Sequence, residues 1–269
     1  MSNRIYALLV GINDYPVEVG KLSGCVNDVD NFNQYLRDSC DPAQLAVEVL
    51  KNSDATRGNI INQFRNHLGQ AREGDVALFQ YCGHGARWAS ASAFKALYPD
   101  GKDEGLVCFD SRSPGGYDLA DKELAVLIDE LARHNPHLAV ILDSCHSGSG
   151  TRGADAYNGL RARVTHEVSS ERPLESYLDG YYSRQEQLFV PAARHVLLAA
   201  CERTQKAQED PANRCGVFSS TLLEVLNKSR GKLSYADLFV RCRSAIQSRV
   251  LNQNPMFETF GQFNSNAGF

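Results

Sequence analysis

The sequence predicts an α/β fold, a three-layer α-β-α sandwich around a mainly parallel central sheet of about six strands. Two observations lead to this prediction. Short, continuously apolar runs recur along the 269 residues, and segments with helical hydrophobic spacing lie between them. Runs without polar alternation are typical of strands covered on both faces, and regular alternation of strands and helices is typical of a parallel sheet between helical layers.

Six apolar runs are predicted as strands of this sheet. None of them alternates cleanly between apolar and polar residues, so we expect central strands with helices on both sides. In chain order the runs are Tyr6–Ile12, Leu45–Lys51, Val76–Tyr81, Leu106–Asp110, Leu138–Asp143 and His195–Ala200.

Helices are predicted between these runs from apolar residues at helical spacing. The residues that share a face are Val29, Phe32 and Leu36 in the first helix, Ile60, Phe64 and Leu68 in the second, and Leu124, Leu127, Ile128 and Leu131 in the third. Two further helices are expected around Phe218–Leu226 and Tyr235–Val250. Ser234 is a suitable N-cap for the last helix, with Asp237 in its first turn.

Composition narrows the class of protein. An apolar content of 43% suits one large domain or two small ones. A net charge of -4 gives no strong field for nucleic acid or an anionic membrane. The eight cysteines are scattered without a CxxC pair, which favours reduced thiols over a disulfide framework. With no run long enough to cross a bilayer, we expect a cytoplasmic protein.

Two of the predicted strands end in reactive residues. His84 lies in Cys82-Gly83-His84-Gly85, directly after one apolar run, and Cys145 follows the run that ends at Leu142. Each residue by itself has an ordinary interpretation, a turn histidine or a buried cysteine. The carboxyl ends of parallel strands meet at one edge of a sheet, however. Together the two residues predict a thiol nucleophile and its base.

Two carboxylates accompany this pair. Asp143 lies two residues before Cys145 and therefore on the same side of the strand. Asp28 lies at a loop-to-helix entry, where an N-cap is the simpler interpretation. If both line one pocket, that pocket selects Arg or Lys by charge pairing.

The stretch from Gly148 to about Arg194 has no sustained periodicity and is rich in Gly, Ser, Tyr and charge. A loop of this length is usually functional or mobile. Because it directly follows the candidate nucleophile, we expect it to shape or cover the site. Its arginines are either candidate cleavage points or a solvated surface. They are Arg152, Arg161, Arg163, Arg172, Arg184 and Arg194.

Taken together, the motifs resemble those of the caspase-like cysteine peptidases, specifically the metacaspase branch with its bacterial relatives. The matching elements, in family order, are Ala7 to Asn13, Leu22-x-Gly24-Cys25-x-Asn27-Asp28, Tyr81-Cys82-Gly83-His84-Gly85, Leu142-Asp143-Ser144-Cys145-His146-Ser147-Gly148, and Leu198 to Cys201 through Gln205, Ala207 and Glu209 to Phe218. Any one of these alone is weak, whereas five in order are specific. The Gln-Ala-Cys-x-Gly signature of animal caspases is absent.

The resemblance implies a single caspase-like domain over residues 1–269. Residues 1–150 correspond to a large-subunit-like part, 151–194 to an Arg-rich connector and 195–269 to a small-subunit-like part. It also implies a monomer that cleaves protein substrates after Arg or Lys, held as a zymogen until it or an upstream protease cuts the connector, with Arg152, Arg161 and Arg163 as candidate processing residues. Cell death or defence is the implied setting.

The resemblance also assigns roles to individual residues. Cys145 and His84 form the implied catalytic dyad, and the backbone N–H groups of Gly85 and Cys145 form the implied oxyanion hole. The implied S1 pocket, which holds the residue before the scissile bond, is drawn from Cys25, Asp28, Cys82 and Asp143.

Two departures from the family pattern bear on these expectations. Cys82 replaces the usual Ser of the His84 motif, which adds a second thiol near the dyad. Calcium-dependent metacaspases hold the ion with several carboxylates, some in the loop after the nucleophile, where this chain has Thr151 and Arg152. The remaining candidates are Asp100, Asp103, Glu104, Asp121 and Glu123. Since an arginine cannot ligate Ca²⁺, we expect that calcium is not required.

Two other functions compete with a peptidase. A catalytically silent caspase-like scaffold is one, although it normally requires loss of the dyad. A metal site formed by Cys82, His84, Cys145 and His146 is the other, although the spacing matches no known zinc pattern, and no metal ligand is assigned.

Overall fold

The computed structural model describes residues 3–145, 159–166, 168 and 170–260, and it confirms the predicted α/β sandwich. A central sheet has six strands in the order β12-β9-β7-β3-β1-β2. All neighbours are parallel except β12, which runs antiparallel to β9 at one edge. The central-sheet strands are β1 (Ile5–Gly11), β2 (Leu45–Lys51), β3 (Val76–Cys82), β7 (His137–Asp143), β9 (His195–Ala199) and β12 (Met256–Phe260).

The register of the three central strands brings their carboxyl ends to the same level. Gly11 of β1 lies beside Cys82 of β3, and Cys82 lies beside Asp143 of β7. These strands are buried along almost their whole length, as their continuous apolar runs predict. His84 and Cys145 each follow two residues after such an end, and so the fold places them at one edge of the sheet.

Within the described residues, five α-helices cover the sheet. They are α1 (Cys25–Ser39), α2 (Arg57–Asn66), α3 (Asp121–Ala132), α4 (Val217–Ser229) and α5 (Tyr235–Gln247). The predicted apolar faces are buried, and the Ser234 side chain accepts a hydrogen bond from the backbone N–H of Asp237, which confirms that N-cap. The N-cap of α1 is Gly24, so Asp28 lies inside the first turn of the helix and is not a cap.

One predicted strand of the central sheet is wrong, and one strand of that sheet was not predicted. Residues 107–110 form an irregular segment that ends in a turn, and only Leu106 belongs to a strand, which lies in a small separate sheet. The central sheet is completed by Met256–Phe260, whose residues are half-buried or exposed. An edge strand that is covered on one side lacks a continuous apolar run, and the sequence pattern is weak there for that reason.

Two small sheets lie beside the carboxyl ends of the central strands. One has the order β4-β5-β6 and the other β11-β10-β8. Their strands are β4 (Gly85–Ala89), β5 (Lys102–Leu106), β6 (Leu119–Ala120), β8 (Arg161–Ala162), β10 (Gln208–Asp210) and β11 (Cys215–Gly216). Short 3-10 helices span Asn52–Asp54, Leu68–Gln70, Ser92–Ala96, Leu174–Asp179 and Tyr182–Arg184. β8 belongs to the connector, which therefore enters this edge of the molecule.

Within the part of the chain that the structure describes, no helix has both the length and the apolar character needed to cross a bilayer.

Candidate active site

An arginine of the connector lies between the segments that follow β3 and β7, which carry the candidate base and the candidate nucleophile. The carbonyl oxygen of Arg163 accepts hydrogen bonds from the backbone N–H groups of Cys145, at 3.1 Å, and Gly85, at 3.2 Å. The Arg163 N–H donates to the Ala207 carbonyl oxygen at 2.9 Å. Two N–H groups that converge on one carbonyl oxygen are the arrangement that stabilises an oxyanion during acyl transfer.

The side chain of Arg163 is fully buried and surrounded by negative charge. Its guanidinium lies 2.5 Å from Asp28, 2.9 Å from Asp143 and 3.6 Å from Glu209, measured between nitrogen and carboxylate oxygen. We call these three carboxylates the acidic pocket. All three are themselves buried. A buried charge is retained only with a partner of opposite sign, so Arg163 is the cation that this pocket requires.

Backbone N–H groups and one hydroxyl hold the carboxylates of the acidic pocket in place. The Gly216 N–H donates to both oxygens of Asp28, at 3.0 and 2.9 Å. The Ser219 hydroxyl donates to Asp143 at 2.6 Å. These donors come from the start of α4, where the helix leaves N–H groups unpaired. The pocket is therefore fixed by the 195–269 part of the chain as well as by β7 and α1.

Glycines leave the room that the guanidinium occupies. A Cβ atom at Gly216 would lie 2.3 Å from Asp143 Oδ2 and 2.6 Å from Arg163 Nη1, and one at Gly24 would lie 2.9 Å from Arg163 Nη2. Real Cβ contacts do not reach such distances. Gly216 has φ -73°, which any residue adopts. Position 216 therefore requires glycine because there is no room for a Cβ atom, and not because of the backbone conformation.

The two predicted pocket thiols, Cys25 and Cys82, lie at the same edge and are buried. Cys82 Sγ lies within 4.8 Å of carboxylate oxygens of Asp28 and Asp143, a spacing that suits a shared cation. In this structure the cation in contact with both carboxylates is Arg163. Burial raises the pKa of both thiols well above the usual range, so they are neutral.

His84 is oriented by backbone groups on both sides. Its Nε2 lies 2.9 Å from the Gly20 carbonyl oxygen, and its backbone N–H donates to the Tyr15 hydroxyl at 3.0 Å. Because a carbonyl only accepts, Nε2 carries the ring proton and Nδ1 is the basic nitrogen. Nδ1 is buried without a hydrogen-bond partner among the described residues. Burial lowers the pKa of His84 to about 3, and so the ring is neutral at pH 7.

The thiol of Cys145 is hydrogen-bonded to the opposite side of the cleft. Its Sγ accepts from the Ala207 N–H at 2.7 Å and lies 3.3 Å from the Ala207 carbonyl oxygen. Burial raises the pKa of Cys145 well above its usual range, and the neighbouring thiol of Cys201 raises it further. The thiol is therefore protonated, and it is not hydrogen-bonded to His84 Nδ1.

The other candidate processing residues are placed differently. Arg161 lies in β8 with an exposed side chain, two residues before Arg163. Arg152 lies outside the described residues. Of the three arginines predicted as candidate cleavage points, the structure brings Arg163 to Cys145.

Sequence reasoning missed several residues of the site. Glu209, Ser219, Gly24 and Gly216 all contribute to the acidic pocket, and none was assigned to it. Glu209 also accepts from the backbone N–H of Gly24, at 3.1 Å. Glu209 lies in the last of the five sequence segments that match the family pattern, and this position could have marked it as a site residue. Its role depends on β10 lying beside α1, however, and periodicity does not reveal such a contact.

Two of the carboxylates considered for calcium, Asp103 and Glu123, are paired with basic side chains. Asp103 is buried and bonded to Lys122 Nζ at 2.5 Å and to the indole N–H of Trp88 at 3.1 Å. Glu123 is buried and bonded to Arg172 at 2.8 Å and to Arg57. Calcium prefers six to eight oxygen ligands without competing cations. These two carboxylates, already neutralised by basic side chains, do not fit that requirement.

Comparison with protein families gives one match over almost the whole chain. Residues 4–263 match the caspase domain of peptidase family C14. The match includes the ends of β3 and β7, the connector and the acidic pocket.

Curated relatives and a solved structure show the same likeness. Metacaspase-1 of Ajellomyces capsulatus is 34% identical over 149 residues, which is 53% of this chain and 40% of that protein. Metacaspase-1A of Aspergillus niger is 33% identical over 149 residues, covering 53% of this chain and 35% of its own length. The chain therefore spans less than half the length of these relatives. A crystal structure from Geobacter sulfurreducens superposes with a TM-score of 0.69 and 25% identity, covering 97% of this chain and 95% of that one.

Proposed function

The chain belongs to the caspase domain family of cysteine peptidases, and from that premise we propose that it is an endopeptidase that cleaves protein substrates after Arg or Lys. One observation carries the proposal. Arg163 has its carbonyl oxygen between the N–H groups of Gly85 and Cys145 and its guanidinium in the acidic pocket. The chain's own arginine thus occupies the place of a substrate residue before the scissile bond.

The proposed reaction uses groups that are in place at this edge. Cys145 Sγ leaves Ala207, transfers its proton to His84 Nδ1 and attacks the substrate carbonyl carbon. The carbonyl oxygen becomes an oxyanion held by the N–H groups of Gly85 and Cys145. The C–N bond then breaks, and His84 returns the proton to the departing amine. Water hydrolyses the acyl-thioester, which releases the new carboxyl end and restores the thiol.

The acidic pocket favours a guanidinium but also accepts an ammonium. Asp28 and Asp143 contact different nitrogens of Arg163, at 2.5 and 2.9 Å. A planar fork can satisfy two carboxylates at once, whereas the Lys ammonium is a single point of charge. We therefore expect cleavage after Arg to be faster than after Lys. A negatively charged Asp has no cation to meet it in this pocket.

The connector makes the described state a closed one. With Arg163 in the pocket, an external substrate cannot place its own arginine there. We propose that the intact chain is a zymogen and that cutting the connector opens it. The first bond that the chain itself cuts is Arg163–Val164, whereas an upstream protease would have to cut the connector elsewhere because Arg163 is fully buried. Cutting would leave the 1–150 and 195–269 parts as the framework of one active monomer. Death and defence pathways are the settings the family resemblance implies.

Calcium is not part of the proposed mechanism. Asp103 and Glu123 are paired with Lys122, Arg57 and Arg172, which supports calcium-independent activity. Addition of a calcium chelator is expected to leave the rate unchanged, and a loss of activity on chelation would contradict this part of the proposal.

Hydrolysis of paired fluorogenic peptides tests the proposal. Peptides that end in Arg, Lys or Asp before the fluorophore are incubated with the wild-type chain and with Cys145→Ala, before and after connector cleavage. Cleavage after Arg that Cys145→Ala abolishes supports both the nucleophile and the acidic pocket. Cleavage after Asp, or equal rates for wild type and Cys145→Ala, would contradict it.

Mass spectrometry of the incubated chain tests the proposed processing bond. Wild type is expected to give a new amino terminus at Val164. Arg163→Ala should remove this product, whereas Arg161→Ala, two residues away and exposed, should retain it. The assignment of Arg163–Val164 would be contradicted if wild type is not cut after Arg163 and the Arg163→Ala chain is still cut after Arg161.

A further inference from the structure

The connector continues beyond the proposed scissile bond along an edge of the small sheet. β4 pairs with β5 on one side, and the described connector residues lie in parallel orientation along the other side. The pairing places Val164 beside Gly85 and Val168 beside Trp88. The Thr165 N–H donates to the Gly85 carbonyl oxygen at 3.2 Å. The described residues after the bond therefore pair with β4 at two separate positions, and we call them the added strand.

The same pattern extends to the far end of β4. The Val168 N–H donates to the Arg87 carbonyl oxygen at 3.2 Å, and the Ala89 N–H donates to the Val168 carbonyl oxygen at 3.3 Å. The Arg172 N–H donates to the Ala89 carbonyl oxygen at 3.1 Å. All of these donors and acceptors are backbone groups, and such contacts bind an extended peptide whatever its side chains are.

Arg172 fastens the end of this added strand. Its guanidinium lies 2.8 Å from Glu123, donates to the Asp118 carbonyl oxygen at 2.9 Å, and lies over the rings of Tyr117 and Tyr177, at 4.8 and 4.1 Å from their centres. The side chain is almost fully buried. Breaking these contacts would leave Glu123 buried with one fewer cation, which is costly.

The described chain on the other side of the bond is held in part by groups that a substrate can replace. Two residue pairs join β8 to β10, Arg161 with Glu209 and Ala162 with Gln208. Arg163 adds its N–H bond to the Ala207 carbonyl oxygen and its guanidinium in the acidic pocket, and an incoming substrate arginine can replace both. The two ends made by a cut therefore differ in how firmly they are held.

We propose that the edge of β4 opposite β5 binds the substrate residues that follow the scissile bond, and that Arg172 keeps the chain's own segment of described residues 164–166, 168 and 170–172 on that edge after the connector is cut. The inference rests on the proposed function. Cutting then opens the acidic pocket but leaves the β4 edge covered. Short substrates with a small leaving group are cleaved freely, whereas protein substrates must first displace the segment.

Two substrates measured on the cut, two-chain protein test this inference. One has Arg followed directly by a fluorophore, and the other is an internally quenched peptide with five residues after the Arg. Val168→Pro removes one N–H from the β4 pairing, and Arg172→Met removes the guanidinium. Each is expected to raise the kcat/KM ratio of extended to short substrate by about five- to tenfold, the effect of one net hydrogen bond. Arg184→Met, which alters an exposed connector arginine, should leave the ratio unchanged.

The outcomes separate this inference from the proposed function. If wild type fails to cut the short substrate, the proposed function is contradicted. If wild type cuts the short substrate and Val168→Pro leaves the ratio at the wild-type value, the inference alone is overturned. Val168→Pro leaves the buried contacts of Arg172 unchanged, so it still tests the inference if Arg172→Met does not fold. Amide exchange of Thr165 and Val168 in the cut chain is a second readout. Slow exchange is expected, and exchange at the rate of an unstructured peptide would also overturn the inference.

Discussion

Two buried clusters of charged side chains each hold one arginine of the connector, and they differ in the balance between acidic and basic groups. The acidic pocket sets Asp28, Asp143 and Glu209 against the single guanidinium of Arg163. The second, which we call the anchor cluster, consists of Asp103 and Glu123 with Lys122, Arg57 and Arg172. Departure of Arg163 leaves the acidic pocket with excess negative charge. Without Arg172, the anchor cluster still contains Lys122 and Arg57 beside its two carboxylates.

The difference indicates which cluster is suited to a ligand. A pocket with uncompensated buried carboxylates attracts any cation that fits, and it lies against the N–H groups of Gly85 and Cys145. The anchor cluster carries no such neighbours and joins α3 to the connector. A buried arginine by itself is thus weak evidence for a binding site. The charge imbalance and the adjacent oxyanion donors are what distinguish Arg163 from Arg172.

The largest effect is expected from Asp143→Asn in the acidic pocket. Asn keeps the shape and can still accept from Ser219, but it loses the charge that meets Arg163 Nη1. Loss of one partner from a buried ion pair costs about 3–5 kcal/mol, so kcat/KM for an Arg peptide should fall at least about 100-fold. Steady-state kinetics measure this. A fall of less than tenfold would show that Asp143 is not a principal contact of the substrate arginine.

The matched change in the anchor cluster is Asp103→Asn, which should act on stability instead. It removes the nearer of two carboxylates that pair with buried Lys122, Asp121 being the other at 3.4 Å, and we expect the free energy of unfolding to fall by about 3 kcal/mol. Urea denaturation measures the loss. The preference for Arg over Asp peptides should stay as in wild type. A changed preference would show that the two clusters are not separate in function.

A smaller effect is expected from filling the space beside the guanidinium. Gly216→Ala suits the local φ of -73° but places a methyl group against Asp143 and the bound arginine. Overpacking of this kind costs about 1–3 kcal/mol, so Arg cleavage should fall at least about fivefold. Gly58→Ala is the control, because a Cβ at Gly58 meets nothing within 4 Å. Equal rates of Arg cleavage for Gly216→Ala and Gly58→Ala would contradict the close approach of Gly216 to the bound guanidinium.

The smallest effect is expected from pH. Burial raises the pKa of Asp28 to about 6, although Arg163 acts in the opposite direction. This pKa applies with the Arg163 guanidinium in place, and it is higher when the pocket is open because that cation has left. The protonated carboxyl loses its attraction for a substrate arginine, so kcat/KM should fall about fivefold as pH decreases to about 6. The same raised pKa means that Asp28 contributes to folding stability at low pH and loses that contribution as pH rises through about 6.

A pH–rate profile of the cut enzyme measures this dependence. Asp28→Asn should be slower but should lack this step in the profile. If kcat/KM of Asp28→Asn falls by the same factor over the same pH range, the pH dependence belongs to another titrating group.

The site could be predicted from the sequence where it depends on strand ends. His84, Cys145 and Asp143 follow continuous apolar runs, and parallel strands deliver such residues to a common edge whatever the loops do. The prediction failed at Leu106–Asp110 and missed the edge strand Met256–Phe260, for different reasons. Leu106, Val107 and Cys108 are buried by packing outside the central sheet, so their hydrophobicity reflects burial and not pairing in that sheet. Met256–Phe260 pairs at the sheet edge but is only half-buried, so it lacks a continuous apolar run.

The amino-acid sequence by itself determined the α/β layers and the placement of His84 and Cys145, since these follow from local periodicity and from strand ends. Only the tertiary structure decided that Arg163, and not Arg161, lies in the acidic pocket and that Glu209 completes it. Those contacts join β8, β10 and α1, which are far apart along the chain and carry no periodic pattern. The physical reason is that a buried guanidinium is placed by carboxylates from three separate elements, and their meeting depends on the packing of the whole domain.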